Sequence, residues 1–142
     1  MPSLADTASG LVITYPLWLG ILSVAGIALL VYGARPNAEV KRRWAILVVG
    51  ALLTWAGAYF VTFKATLTAE SGRVYAFMRY NERIDWTDAA SAAVVQKSGK
   101  GGPSYFLVVS ARSGGSFEMP LSGLNDQERQ RVVTFVVSKI PR

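Results

Sequence analysis

The sequence predicts a membrane hairpin of two transmembrane helices followed by a small α+β domain. Three observations support this fold class: two long apolar runs without charge, a short basic segment between them, and alternating apolar and polar residues in the second half. Over the whole chain, 51% of the residues are hydrophobic and 17% are charged. Soluble domains carry roughly 25% charged residues, so the composition favours an anchor joined to a domain.

The first apolar run covers about residues 11–32 and follows a short N-terminal tail, residues 1–10. At about 1.5 Å per residue, a helix of this length crosses a hydrocarbon core of about 30 Å. Pro16 is tolerated near its start because the first turn of a helix has no partner for the missing N–H. A cleaved signal peptide is less well supported, because residues 1–10 contain no Lys or Arg.

The second apolar run, residues 44–63, is also of spanning length, and aromatic residues mark both ends of the two runs. We expect the two helices, over residues 11–63, to pack as an antiparallel hairpin through small residues. These are Gly20, Ser23 and Gly26 on the first helix and Gly50, Thr54 and Ala58 on the second. Neither run carries an ionisable group, which argues against a proton relay or an ion path.

The segment between the two runs, residues 33–43, is strongly basic. Its positive residues are Arg35, Lys41, Arg42 and Arg43. Positive residues in short loops stay on the cytoplasmic side, so we expect this loop inside the cell and the C-terminal domain outside. Contact with anionic lipid headgroups is a second role for the same residues, on the same side of the membrane.

Residues 64–142 show the alternation of β-strands and end in an amphipathic helix. The predicted strands cover residues 64–69, 73–79, 83–86, 90–97, 104–110 and 116–120. Asn125, followed three residues later by Glu128, predicts a capped helix start, and the helix should cover about residues 126–140. Its apolar face is expected to close an open end of an antiparallel sheet or small barrel.

A Thr-x-Glu turn and an Ile-x-Trp-x-Asp segment follow the second apolar run. Their residues are Thr68, Glu70, Ile84, Trp86 and Asp88, with Arg73 and Val74 opening the strand between them. With the preceding helices and the closing helix, these residues make the chain resemble the bacterial pleckstrin-homology-like (PH-like) membrane proteins. The resemblance implies a PH-like barrel capped by the last helix, in a bacterial inner membrane.

Two features of the sequence differ from what the resemblance implies. The turn ESG, residues 70–72, lacks the basic cluster with which inositide-binding relatives hold phosphates, so phosphoinositide binding is not expected. Members of the family would also often be expected to keep the domain in the cytoplasm, whereas the charge rule places it outside.

Several chemistries are excluded or disfavoured by the residues present. The chain contains no cysteine and no histidine, so thiol or histidine catalysis and the usual metal and cofactor sites are not expected. Asp85, Asp88 and Glu82 are expected to serve turns rather than acid–base chemistry or calcium binding. Trp86 is expected to be a core anchor whose indole N–H finds a carbonyl. KSGKGGPS, residues 97–104, lacks the spacing of a phosphate loop.

Together these observations favour a non-catalytic interaction or accessory module for another membrane protein or complex. A strand edge, or the groove beside the last helix, is the expected docking surface. The alternative is sensing of anionic lipid through Lys97, Lys100 and the basic loop, and a small peripheral enzyme or ligand carrier is less well supported. Nucleic acid is not an expected partner, because the domain's positive charge is not gathered around aromatic residues.

Overall fold

The computed structural model describes residues 1–36 and 40–141, and these residues form two compact units. The first, which we call the sheet unit, contains Met1–Thr14, Lys64–Tyr75 and Tyr80–Arg142. The second, the helical unit, contains Tyr15–Phe63 and Ala76–Arg79. The helical unit is therefore inserted into the sequence of the sheet unit.

The sheet unit begins with a five-stranded antiparallel sheet in the order β1-β2-β3-β4-β5. The strands are β1 (Ser3–Thr7), β2 (Gly10–Thr14), β3 (Lys64–Thr68), β4 (Ser71–Ala76) and β5 (Tyr80–Asp85). The β2–β3 register runs from Thr14 opposite Lys64 to Gly10 opposite Thr68. The chain thus leaves the sheet after β2 and returns beside the same strand.

Gly10 shows how closely β2 and β3 approach each other. Its φ of 144° lies in a region that favours glycine, and a Cβ atom at this position would collide with the carbonyl of Leu67. A residue with a side chain at position 10 would therefore disturb this pair of strands.

The second sheet has three antiparallel strands in the order β6-β7-β8. They are β6 (Ala89–Gly99), β7 (Gly102–Ala111) and β8 (Gly115–Pro120). One register shift interrupts the β6–β7 pairing, between Ala89 and Ser91. Beyond that shift, β6 pairs continuously with β7 up to the tight turn at residues 100–101.

The helical unit consists of a 3₁₀ turn, Leu17–Gly20, followed by α1 (Ile21–Gly33) and α2 (Val40–Thr62). The two helices approach at their backbones: a Cβ atom added to Gly50 would lie 2.9 Å from the Gly26 carbonyl oxygen. Ser23 Oγ donates a hydrogen bond to the Thr54 carbonyl oxygen at 3.1 Å. The expected contact through small residues is present, with Gly57 facing Ser23 where we expected Ala58.

The sheet unit closes with α3 (Asp126–Lys139), which begins at a capping box. Asn125 Oδ1 accepts from the Glu128 N–H at 2.8 Å, and the Asn125 N–H donates to Glu128 Oε2 at 2.9 Å. Val132 and Val136 are fully buried. The core also includes Ile13, Leu67, Val74, Leu107, Val109, Met119 and Leu121. The predicted α+β architecture with a capped last helix is confirmed, and all six predicted strands overlap observed ones.

The predicted boundaries at the N-terminus are wrong. Residues 1–10, predicted to be a tail, contain β1, and residues 11–14, predicted to start the first span, belong to β2. Leu11 and Ile13 are buried while the residues between them are partly exposed, which is the alternation of a strand. The physical reason is that LVIT continues an apolar run, and such a run does not by itself distinguish a buried strand from a helix. The sheet domain therefore does not begin at residue 64.

The prediction of two full spans, about 11–32 and 44–63, also needs correction. In the described ranges, α2 alone is long and apolar enough to cross a membrane, and the other apolar helical segment, Leu17–Gly33, is shorter. α2 also begins at Val40, inside the predicted loop 33–43. Residues 37–39 of that loop, and residue 142, lie outside the described residues.

We predict that residues 64–142 alone do not fold stably, because they lack β1 and β2 and leave the edge of β3 unpaired. A chain in which Thr14 is joined to Lys64 through an Asn-Gly turn should instead fold, since this turn suits a short hairpin. The two chains are compared by light scattering and by thermal melting that is monitored by circular dichroism. Equally cooperative melting of both would contradict the observed strand order.

We also predict that Gly26→Leu lowers the free energy of unfolding of the full chain in detergent by about 2 kcal/mol or more. The added side chain would meet backbone atoms of Thr54 and Gly50, which cannot move aside as a flexible side chain can. Ala25→Leu is the matched control, because it adds the same side chain at an exposed neighbouring position. Equal losses for the two variants, measured by denaturant titration, would contradict the contact between α1 and α2.

Candidate functional site

Three of the residues that carry the resemblance, Thr68, Glu70 and Trp86, meet around the turn between β3 and β4. Thr68 Oγ1 accepts a hydrogen bond from the Ser71 N–H at 3.1 Å. Trp86 binds the same turn twice: its indole N–H donates to the Thr68 carbonyl at 2.9 Å, and its backbone N–H donates to the Glu70 carbonyl at 2.9 Å. The expectation that the Trp86 indole finds a carbonyl is confirmed. Trp86 opens the 3₁₀ turn Trp86–Asp88 after β5 and acts as a structural clasp between that turn and the β3–β4 turn.

The other two motif residues also have structural contacts. Ile84 is buried in the core. The Asp88 carboxylate accepts from the Ser113 N–H at 3.1 Å and from Ser113 Oγ at 2.6 Å, and its carbonyl accepts from the Arg112 N–H at 2.6 Å. Asp88 thereby fixes the turn between β7 and β8.

A cleft of about 480 Å³ brings the three acidic residues of this region together. Asp85 forms an ion pair with Arg83 at 3.0 Å, and Glu82 Oε2 accepts from the Glu118 N–H at 3.2 Å. With Asp88 bound to Ser113, each of the three carboxylates has a partner within the protein. Among the described residues, no group of three His, Cys, Asp or Glu side chains is arranged to hold a metal ion.

The two lysines considered for lipid or partner contact have different surroundings. Lys97 Nζ lies 3.0 Å from Glu118 Oε2 and 4.8 Å from the centre of the Phe106 ring. Lys100 lies in the exposed turn between β6 and β7. Lys97 is therefore already engaged within its own sheet.

The four basic residues of the predicted loop lie at the ends of the two helices. The Arg35 guanidinium lies 5.7 Å from the centre of the Tyr32 ring, just after α1. Lys41, Arg42 and Arg43 belong to the first turns of α2. Positive charge at a helix N-terminus interacts unfavourably with the helix dipole, so Lys41, Arg42 and Arg43 do not stabilise α2 through that dipole.

A groove of about 970 Å³ separates the first half of β6 from α3. It is lined by Ala90, Ser91 and Ala92 of β6 and by Gln130, Val133, Thr134, Val137, Ser138, Ile140 and Pro141 of α3 and its end. None of these lining side chains is charged, and those from β6 are small. The groove can therefore accept small apolar side chains from a neighbouring chain.

The strand that forms one wall of this groove has a free edge. Among the described residues, β7 is the one strand that pairs with β6, and residues 89–96 of β6, before its Lys97, include no charged residue and no proline. Proteins usually protect exposed edges with short strands, charges or proline. The edge strand β1 follows that rule, because it has five residues and its Asp6 forms an ion pair with Arg131 of α3 at 2.8 Å.

One contact of the sheet unit is not predicted by the sequence. The ion pair between Asp6 and Arg131 depends on β1, and the sequence predicts a tail at residues 1–10. The one local signal for this hairpin is the pair Ser9 and Gly10, which is typical of turns and lies between β1 and β2.

We predict that Trp86→Phe lowers the free energy of unfolding by about 1 kcal/mol or more, because the half-buried Thr68 carbonyl loses the indole donor. Trp44→Phe is the control, since Trp44 is 64% exposed and the same chemical change should cost less than about 0.5 kcal/mol there. Denaturant unfolding of the full chain in mild detergent measures both. A similar loss of unfolding free energy in the two variants would show that the hydrogen bond from Trp86 to Thr68 contributes nothing to stability.

A comparison with protein-family models and with curated proteins finds no match to this chain. The PH-like resemblance therefore stays a prediction, and a function has to be inferred from the geometry of the groove and of the helices.

Proposed function

We propose that this chain is a non-catalytic, membrane-anchored module with a PH-like domain that holds an extended segment of another membrane protein along β6. The observation that carries the proposal is the free edge of β6, uncharged over residues 89–96, beside the groove at α3. An added strand would bond to the backbone of β6, and alternate side chains of that strand would enter the groove.

The composition of the groove defines the segment that fits it. The β6 wall offers alanine and serine, while Val133, Val137 and Ile140 supply apolar surface from α3. An unpaired charge would lose its hydration in such a groove without gaining a partner. The bound segment should therefore be extended and should carry small apolar residues at alternate positions.

The exposed surface of the helical unit supports membrane anchoring. Its exposed large residues include Trp18 (66%), Ile21 (66%), Val24 (67%) and Leu52 (61%). Only 11% of the most apolar stretch of α2 is buried. Soluble proteins rarely expose a continuous apolar surface of this kind, whereas a bilayer covers it.

The lengths of the two helical segments support a paired crossing. The apolar part of α2, residues 44–62, is about 28 Å long. Leu17–Gly33 has fewer residues but begins with four residues in a 3₁₀ turn, which rises about 2.0 Å per residue, so it also spans about 28 Å. The Tyr15 ring lies 5.2 Å from the Phe63 ring, so the segment before α1 reaches the end of α2.

Charge suggests an orientation for this proposed hairpin. Arg35, Lys41, Arg42 and Arg43 gather at one end of the helical unit, and residues 1–14 contain no Lys or Arg. The basic end is proposed to face the cytoplasm of a bacterial cell, across its inner membrane. Two crossings leave residues 1–14 and 64–142 on the same side, as the pairing of β2 with β3 requires.

The alternative of anionic-lipid sensing has weaker support. Lys97 would have to give up Glu118 and its position over Phe106 to bind a headgroup. The enzyme or carrier alternative is also weaker, because the carboxylates of the 480 Å³ cleft all have partners within the fold.

The docking proposal predicts that Val137→Glu reduces copurification of a stoichiometric membrane partner in gentle detergent by about tenfold or more, equivalent to about 1.4 kcal/mol. Val137 is 51% exposed in the groove, so the substitution should leave the fold intact. The control is Gln127→Glu, an exposed position of the same helix outside this groove.

Amide hydrogen exchange of the purified complex provides the second readout. Strand addition should slow exchange at the free edge of β6 relative to the unbound chain. Unchanged β6 exchange, or equal partner yield from both variants, would contradict docking at this edge.

A further inference from the structure

The turn between β4 and β5 differs from the other tight turns of the chain. It consists of Phe77, Met78 and Arg79, which we call the β4–β5 tip, and the Arg79 N–H donates to the Ala76 carbonyl at 3.1 Å. Met78 is 83% exposed and Phe77 is 39% exposed. The other turns between sequential strands carry mainly small, polar or charged residues, at 8–9, 69–70, 100–101 and 112–114.

Met78 occupies a backbone conformation that its residue type disfavours. Its φ is 55°, and among the described residues it is the sole non-glycine with a positive φ. Glycine or asparagine is the usual choice at such a turn position. A bulky apolar residue there is strained and exposed, and strained positions of this kind cluster where a side chain has a function.

Contacts within the helical unit place this tip at the end of α2. The Phe77 N–H donates to Thr62 Oγ1 at 2.9 Å. The Arg79 guanidinium lies 5.7 Å from the centre of the Tyr59 ring. Tyr59 in turn contacts the rings of Phe60 and Phe63, at 5.4 Å and 5.9 Å. The tip therefore lies at the same position along α2 as the aromatic cluster with which the apolar part of that helix ends.

We propose that the β4–β5 tip inserts into the interfacial layer of the same bilayer that the helices cross. Aromatic rings of a membrane protein gather at the headgroup level, where an apolar side chain reaches the acyl boundary and an arginine stays near the phosphates. Phe77 and Met78 supply the apolar part of such a contact, and Arg79 supplies the cation. The tip acts as a second, shallow membrane contact of the helical unit.

This inference rests on the proposed membrane anchoring, and one set of labels tests the two separately. Because the chain has no cysteine, single cysteines can be introduced and labelled with an environment-sensitive nitrobenzoxadiazole dye. The labelled positions are Met78→Cys and Phe77→Cys in the tip, Leu52→Cys on the exposed face of α2, and Lys100→Cys in the polar β6–β7 turn. The full chain is studied in phosphatidylcholine–phosphatidylglycerol nanodiscs, with doxyl quenchers placed at shallow or deep acyl positions.

The expected result is blue-shifted emission at 77 and 78 relative to 100, with stronger quenching by the shallow doxyl than by the deep one. This pattern corresponds to a depth of about 5–10 Å in the interface. The Leu52→Cys label should instead be quenched most by the deep doxyl. Two tip positions are labelled so that a local effect of one substitution can be recognised. Phe77→Cys keeps the hydrogen bond to Thr62, because the backbone N–H of residue 77 makes it.

Two other outcomes would overturn the inference. If the label at position 52 is quenched in the bilayer while the labels at positions 77 and 78 behave like the label at position 100, the tip is in water. In that case only the anchoring proposal survives. If residue 52 is not quenched either, the helices do not cross the bilayer, and both proposals fail.

Discussion

The backbone pairing of β2 with β3 is the constraint on which the rest of the molecule depends. It joins residues 10–14 to residues 64–68, and the whole helical segment lies between them in the sequence. Neighbouring strands lie about 4.8 Å apart, so the chain must return close to the point at which it left the sheet. An antiparallel pair of helices satisfies this requirement directly. The close glycine contact between α1 and α2 then sets how tightly that pair can pack.

This arrangement gives the two units different proposed tasks. The core of the sheet unit includes Val132 and Val136 of α3, and residues 89–96 of its edge strand β6 carry no charge and no proline. The helical unit has little core of its own and exposes large apolar side chains over most of its surface. The edge of β6 suits an extended segment of a partner protein, and the apolar surface of the helical unit suits a bilayer. Neither task needs a reactive side chain, which agrees with a sequence that has no cysteine and no histidine.

Local patterns in the sequence were sufficient for the elements whose signals are local. Asn125 and Glu128 marked the start of α3, and the alternation after residue 64 marked six strands. Long-range pairing was not accessible in the same way. LVIT merges with the apolar run that follows it, and its partner strand lies some fifty residues later, so β2 could not be separated from a helix by composition. The Lys97–Glu118 pair and the open edge of β6 likewise depend on strand order and register.

Amide hydrogen exchange of the full chain in lipid nanodiscs tests most directly whether the two ends of the sequence form one sheet. The account predicts that the amides of Leu11 and Ile13 are protected as strongly as those of Leu67 and Val74, because all four belong to buried positions of neighbouring strands. Exchange of residues 3–14 at the rate of an unfolded chain, with residues 64–120 still protected, would contradict it. In that case the sheet would be complete without its N-terminal strands, and the return of the helices to β2 would have no structural basis.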